Sequence, residues 1–451
     1  MGHAGVVAAG PGSGVARVSG WLLAAVWLLE LSRLAIPSPA LSNLGTAGLL
    51  AFVLLALLRA SLHIRILFAA IAGLAVWIAA MKSDPALLLA GLKRAQIFGA
   101  FLPSVLLLRA TVESSPRIAA LRDGVEALDD KARENWMVCG SHALGSVLNV
   151  GAMGILAPVL ARDAGGPRRA ALAAASVRGV GTAVMWSPFF VSLGFVSHLL
   201  PPVQLWEVMA LGAGLALTGL AISWRMFTPG LGIAGFLEST GRLRPLIGPT
   251  LIIVATVLAV ATALSLSGPA AVAAGVPLLC AGYLAVAGRD AAAQVARSTL
   301  DSFGRLADEM IIIVGATVLG TVIARVPEAS TVAAAITPAF VSGGALIVAL
   351  MLVLIASGLV GLHPMIGATI LLPILAGGAF GVCDAVLVET AVFAWGLSAM
   401  IAIWTLPVAA AASMFRVPLR ALATGRPLRF AAVYVLAAAA YLSAANTWMA
   451  C

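Results

Sequence analysis

The sequence predicts an all-α polytopic membrane protein of about 11–12 spans, built as two inverted-topology repeats with re-entrant hairpins and broken helices. Three observations predict it. Of 451 residues, 62% are hydrophobic and 10% charged, whereas soluble domains carry about 25% charged residues. Apolar runs of about 20 residues, long enough to cross a bilayer, recur along most of the chain. Two proline-bearing apolar segments, one in each half, read alike.

In chain order, the runs at 18–36, 45–59, 66–82 and 95–112 are each long enough to span. The first contains Glu30 and Arg33 and lacks a cleavage pattern, so it reads as an uncleaved span with a cytoplasmic N-terminus. An amphipathic stretch at 116–136 follows. Runs at 137–162 and 170–199 are interrupted by Gly and Pro, which break a helix. Spans near 204–224, 248–266 and 271–287 come next. The second half offers a span near 307–325, with Asp308 and Glu309 at an interfacial helix start, and a helix at 329–340. Interrupted runs at 343–380 and 384–411 and a last span near 428–448 complete it. The expected organisation is scaffold spans in 1–94, repeat 1 in 95–230, connecting spans in 231–304, repeat 2 in 305–420 and a terminal span in 421–451.

The net charge is +9. Most of the basic residues sit in loops between apolar runs, which assigns them to topology and anionic lipid and leaves no role for nucleic acid. Arg59 and Arg65 flank one such loop. Others hold Arg162, Arg168 and Arg169; Arg225, Arg242 and Arg244; Arg289, Arg297 and Arg305; and Arg416, Arg420, Arg426 and Arg429. The loops at 200–203 and 267–270 hold none. All basic loops share the cytoplasmic side only if 137–162 and 343–380 each return to the face they left. Lys82, Lys93 and Arg94 fall on the other side. Cys139, Cys280, Cys383 and Cys451 have no metal-site spacing and read as packing residues or free thiols. Walker A, HExxH and Ser/His/Asp patterns are absent, so neither an ATP-driven pump nor an enzyme is expected.

The internal repeat emerges when "VLNVGAMGILAPVLA" (147–161) is set under "LHPMIGATILLPILA" (362–376). Pro373 lies 215 residues after Pro158. Upstream, Pro327 lies 211 residues after Pro116; downstream, Trp404 lies 218 after Trp186. The offsets grow in small steps, as loop insertions would make them. Three spans lie between the repeats, and an odd number inverts the second copy. Transporters of this build place their sites near the midplane, where broken helices meet.

"LNVGAMGILAPVL" resembles the hairpin motif of the ion transporter superfamily, which includes arsenite pumps, sodium/proton antiporters, citrate and dicarboxylate symporters and the membrane subunits of TRAP transporters. Asn149, Gly151 and Pro158 match the motif, as do Thr369 and Pro373 in the second copy. The resemblance covers about residues 95–420 and departs at two places. No hydroxyl follows Asn149, and His363-Pro364 replaces the second Asn. The resemblance implies an elevator-type secondary transporter, with a moving domain of hairpins and broken helices. It also implies a scaffold of outer spans that often forms a homodimer interface.

The candidate site residues each have two readings. His363, beside Pro364, is a proton-coupling or substrate-binding imidazole at a helix break, or a helix-end ring satisfied by a carbonyl. Asn149 and Ser146 hold substrate or cation at the first hairpin tip, or make interhelical hydrogen bonds. Arg178 suits a carboxylate or phosphate, or snorkels to the cytoplasmic face. Thr182 and Ser187 complete the polar set of the first half; Ser398 and Thr405 are their counterparts. Glu389 is a proton or sodium carboxylate, or stabilises a helix N-terminus. The expected function is H⁺- or Na⁺-coupled movement of a small anionic metabolite across a bacterial-type inner membrane, with no cofactor beyond that ion. A cation/proton antiporter is the alternative within transport; a membrane-embedded enzyme or assembly factor is the alternative outside it.

Overall fold

In the computed structural model, residues 14–116, 128–160, 165–326, 342–378 and 380–449 are described, with 328, 331 and 335. Among them there are twenty-one helices and no strand. The first five are α1 (Gly14–Ala35), α2 (Pro39–Arg59), α3 (Leu62–Met81), α4 (Ala86–Ala95) and α5 (Phe98–Glu113). Then follow α6 (Asp130–Leu148), α7 (Gly151–Leu160), α8 (Gly166–Val184), α9 (Val191–Leu199), α10 (Leu205–Phe227) and α11 (Ile233–Gly241). Next are α12 (Arg244–Ala263), α13 (Gly268–Ala287), α14 (Arg289–Phe303), α15 (Ala307–Ile323) and α16 (Gly343–Leu359). The last are α17 (Pro364–Leu375), α18 (Asp384–Ile401), α19 (Leu406–Phe415), α20 (Leu419–Ala423) and α21 (Arg426–Met449).

Nine helical stretches among the described residues are long and apolar enough to cross a membrane, or ten if the bent pair α14–α15 counts as one span. This is a multi-pass membrane protein. The expected 11–12 spans exceed that number for a physical reason. The hairpin arms α7, α16 and α17 are too short to span alone. The arms α6 and α8 dilute their apolar runs with Asp130, Lys131, Arg133, Glu134, Arg168, Arg169 and Arg178. The loop expected to carry Arg289 and Arg297 is the amphipathic helix α14, whose Val295, Thr299 and Phe303 are buried. Apart from 331 and 335, the helix expected at 329–340 lies outside the described residues, as do residues 117–127 of the amphipathic stretch. Cys139 and Cys280 are free and buried. Cys383 is disulfide-bonded, so the expectation of four unpaired cysteines does not hold.

The chain forms two compact units. The first comprises Met1–Thr111 and Val276–Val322. Residues 95–111 and 305–322, the starts of the two expected repeats, both belong to it. Inside it, the Trp27 indole donates to Ser104 Oγ at 3.1 Å and meets the Phe303 ring edge-on. Gln96, at the α4–α5 break, is buried and donates to Thr46 Oγ1 at 2.9 Å.

The second unit comprises Val112–Gly275 and Ile323–Cys451 and holds both hairpins and both broken helices. Arg168, in the first turn of α8, is ion-paired with Asp130 in the first turn of α6. Only residues 161–165 separate α7 from α8. Hence α7 returns to the end from which α6 set out. That end is basic: the Arg426 guanidinium donates to the Met226 carbonyl at 2.8 Å, and Phe227 faces Arg178 and Arg426. The other hairpin opens elsewhere. Gly343, starting α16, leaves no room for a Cβ against the Gly381 carbonyl, and Asn446 near the end of α21 donates to that same carbonyl at 2.8 Å. Arg426 and Asn446 are twenty residues apart on one helix, about 30 Å at 1.5 Å per residue. The hairpins α6–α7 and α16–α17 therefore open at opposite ends of the unit.

The packing has the same exchange symmetry. Each first hairpin arm packs on its own broken helix, α6 on α8 and α16 on α18. Each second arm packs on the far broken helix, α7 on α19 and α17 on α9. Where α8 and α18 meet, Gly181 receives the Met400 side chain and Gly396 receives the Met185 side chain. Met400 lies 215 residues after Met185, and Gly396 lies 215 after Gly181. A reciprocal contact of this kind is what a two-fold relation produces.

Candidate functional site at the hairpin tips and helix breaks

Each hairpin tip is an interrupted backbone with its own cap. In the first, α6 ends at Asn149, whose φ is +54°, an uncommon value for a residue other than glycine. Its Oδ1 accepts from the Val150 N–H at 2.8 Å. Its Nδ2 makes no hydrogen bond among the described residues. In the second, Gly361 turns the chain at φ +89° and Pro364 opens α17. His363 is the N-cap: its Nδ1 accepts from the Met365 N–H at 3.2 Å. A nitrogen that accepts bears no proton, so the neutral ring carries its proton at Nε2. That ring is exposed, stands edge-on to Trp395 at 4.8 Å, and Nε2 has no partner among the described residues.

The breaks are stitched to the hairpins by side chains. Chain that leaves the helix frees carbonyls, and a buried unpaired carbonyl costs about 1–3 kcal/mol. Ser187, in the break between α8 and α9, donates to the Ser146 carbonyl near the tip of hairpin 1. Trp404, in the break between α18 and α19, donates to the Gly358 carbonyl near the tip of hairpin 2, at 2.9 Å. Thr405 Oγ1 lies 2.8 and 2.7 Å from the Ala399 and Ala402 carbonyls, freed where α18 ends.

A further chain of bonds joins α6 to α8. The Trp186 indole donates to His142 Nε2 at 3.1 Å. An indole can only donate, so Nε2 accepts and the proton sits on Nδ1. That Nδ1–H points at Thr182 Oγ1, 3.0 Å away, and Thr182 donates on to the Gly179 carbonyl at 2.9 Å. His142 was missed as a site residue, although a titratable group in an interrupted membrane run is the signal that singled out His363. Glu134, Ser223 and the role of Trp186 were also missed.

The remaining expected residues fall into separate places. The Ser146, Thr369 and Ser398 hydroxyls bond carbonyls of their own helical turns, those of Ala143, Met365 and Trp395. Gly151 starts α7 and is buried. Ser398 and Pro364 pack where a Gly358 Cβ would stand, which brings hairpin 2 and α18 together. Arg178 is buried; its Nη2 lies 2.9 Å from Glu134 Oε1, its Nε donates to Ser223 Oγ at 3.0 Å, and its guanidinium stacks 3.5 Å from the Phe227 ring centre. Glu134 is fifteen residues before Asn149, about 22 Å along α6. The guanidinium is thus held at the base of hairpin 1, away from its tip. Glu389 is fully buried in α18, and neither carboxylate oxygen has a hydrogen-bond partner.

Four of the expected site residues therefore keep capacity that the described residues leave unmet: Asn149 through Nδ2, His363 through Nε2, Arg178 through Nη1 and Glu389 through both oxygens. No group of three or more His, Cys, Asp or Glu that could hold a metal ion occurs among the described residues.

No protein-family description matches the chain, and no curated protein matches it. Among solved structures, it is similar to the YdaH transporter of Alcanivorax borkumensis, with 15% identity over 85% of this chain and 88% of that one, at a TM-score of 0.48. It is also similar to MtrF of Neisseria gonorrhoeae, described as one of a class of antimetabolite efflux pumps. There the identity is 16% over 76% of this chain and 80% of that one, at a TM-score of 0.48.

Proposed function

We propose that this chain is a secondary transporter that moves a small anionic, carboxylate-like metabolite across a bacterial-type inner membrane, driven by an H⁺ or Na⁺ gradient. The observation that carries the reading is the pair of hairpins opening at opposite ends of one unit, each stitched to its own broken helix. Unwound backbone inside a membrane is tolerated only where protein, water or ligand satisfies it. Four short helices, α7, α9, α17 and α19, begin at the tips and breaks, and a helix N-terminus favours anions. Asn149 Nδ2 and His363 Nε2 are the free donors nearest those tips. The basic end faces the cytoplasm by the positive-inside rule. The elevator motion and homodimer implied by the ion transporter superfamily resemblance belong to this proposal.

The second reading is a cation/proton antiporter of the same superfamily, favoured by the partnerless carboxylate of Glu389. The test is flux in liposomes carrying the purified protein, with labelled carboxylates, amino acids and oxyanions under separately imposed pH and Na⁺ gradients. Concentrative uptake of an anion that stops when one gradient collapses supports the proposal. Cation-driven pH change without anion flux selects the antiporter, and no flux of either kind rejects both.

A further inference from the structure

We infer that Glu389 binds and releases a proton, reached through a cavity at the end of the unit opposite the basic loops. Its role in a transport cycle rests on the function proposed above; the binding itself does not. The first observation is the isolation of the carboxylate. Glu389 is 0% exposed, and neither oxygen meets a donor or acceptor among the described residues. A buried carboxyl group that meets no partner has lost its water without compensation in either protonation state. Leu or Met would fill such a place better, so packing does not explain the residue.

The second observation is the cavity. About 310 Å³ in volume, it is lined by Glu207, Gly377, Gly378, Asp384 and Ala385 among others, where α18 begins. Ala385 and Glu389 are four residues apart, on the same face of α18 and about 6 Å along its axis. The cavity therefore reaches to within one helical turn of the buried acid. Asp384 and Glu207 also line the cavity: Asp384 Oδ1 accepts from the Gly377 N–H at 2.8 Å and Glu207 Oε2 from the Gln204 N–H at 3.0 Å.

Among the described residues, no basic side chain bonds Glu389. Helices α16, α17 and α19, packed on α18, carry no charged or titratable side chain. From α8, Arg168 and Arg169 lie in the first turn and Arg178 is ion-paired with Glu134; α10 contributes Glu207, which lines the cavity, and α9 contributes His198 near its C-terminal end. Arg225, Arg420, Arg426 and Arg429 belong to the basic end. Between the basic end and Asn446, α21 carries the tyrosines Tyr434 and Tyr441, and the Tyr434 hydroxyl donates to the Leu215 carbonyl at 2.7 Å. His363 is less suited to the task, because protonating Nδ1 breaks the cap it gives to Met365.

Infrared difference spectroscopy on the protein in liposomes tests this directly. At neutral pH the wild type should show the carbonyl stretch of a protonated carboxylic acid in a dry site. Glu389→Gln should lose that band, while Asp384→Asn keeps it. On transfer to D₂O the band should shift promptly, and Ala385→Leu, which fills the inner end of the cavity, should retain the band but delay the shift. A band that survives Glu389→Gln, or its absence from the wild type, overturns the proton site. An unchanged shift rate in Ala385→Leu overturns the route. The spectrum needs no substrate, so failure of anion flux would reject the transport reading while leaving the proton site standing, and the reverse also holds.

Discussion

Trp404, in the break of the second broken helix, donates its indole N–H to the carbonyl of Gly358 near the tip of the second hairpin. Ser187 does the same for the carbonyl of Ser146 in the first. Two different residue types perform one task at matching places in the two halves. The task is set by the backbone: a helix that stops inside the apolar layer leaves carbonyls that need donors.

Ser187→Ala should therefore destabilise the protein by about 1–3 kcal/mol, the cost of a buried unpaired carbonyl. Ser146→Ala should cost less, because the Ser146 hydroxyl bonds only a carbonyl of its own turn. Thermal unfolding in detergent, followed for both variants, checks the order.

The reciprocal glycines predict a pair of rescues. Gly181→Ala pushes a methyl into the Met400 side chain, and Gly396→Ala pushes one against Met185. Each should cost about 1–3 kcal/mol, the usual range for overpacking. Met400→Ala should relieve the first and Met185→Ala the second, with no cross-relief. Gly179→Ala should resist rescue, since its methyl would meet the Val138 carbonyl and the Ser141 Cβ. Unfolding midpoints of the single and double variants decide this.

Arg178 and Glu134 should behave as a buried ion pair. Arg178→Met leaves a half-buried carboxylate without its partner, a loss of about 3–5 kcal/mol. Adding Glu134→Leu should restore much of that loss. A double variant that remains as unstable as Arg178→Met would show that Ser223 and Phe227, not the ion pair, account for the stability.

The Trp186–His142–Thr182 chain should be non-additive. Trp186→Phe and Thr182→Val each strand one nitrogen of His142. A double-mutant cycle between them should give a coupling of at least about 0.5 kcal/mol, as members of one network do. Additive losses would mean that the two bonds act separately.

Much of this architecture was legible in the sequence because membrane physics leaves strong marks. Apolar length gives the spans, and proline within an apolar run gives the breaks. The distribution of arginine required two segments to turn back, and both do. Trp186 and Trp404 were visible as a matched pair, yet their task was not. Each indole reaches a partner more than forty residues away in sequence, a distance set by tertiary packing alone. Arg178 read equally well as a ligand or as a snorkelling side chain, since its partner Glu134 sits in an amphipathic stretch on another helix. Asn149 and His363 were visible because each marks a local break, and local rules govern breaks.

Hairpins that open at opposite ends of one unit should reach opposite sides of the membrane. Gly165, at the base of the first, is exposed and has open space for a side chain; Ser342, at the base of the second, is exposed. Single cysteines placed at each, Gly165→Cys and Ser342→Cys, can be tested with a membrane-impermeant thiol reagent. Ser342→Cys should react in intact cells and Gly165→Cys only in inverted vesicles. Labelling of both from the same side would contradict that arrangement.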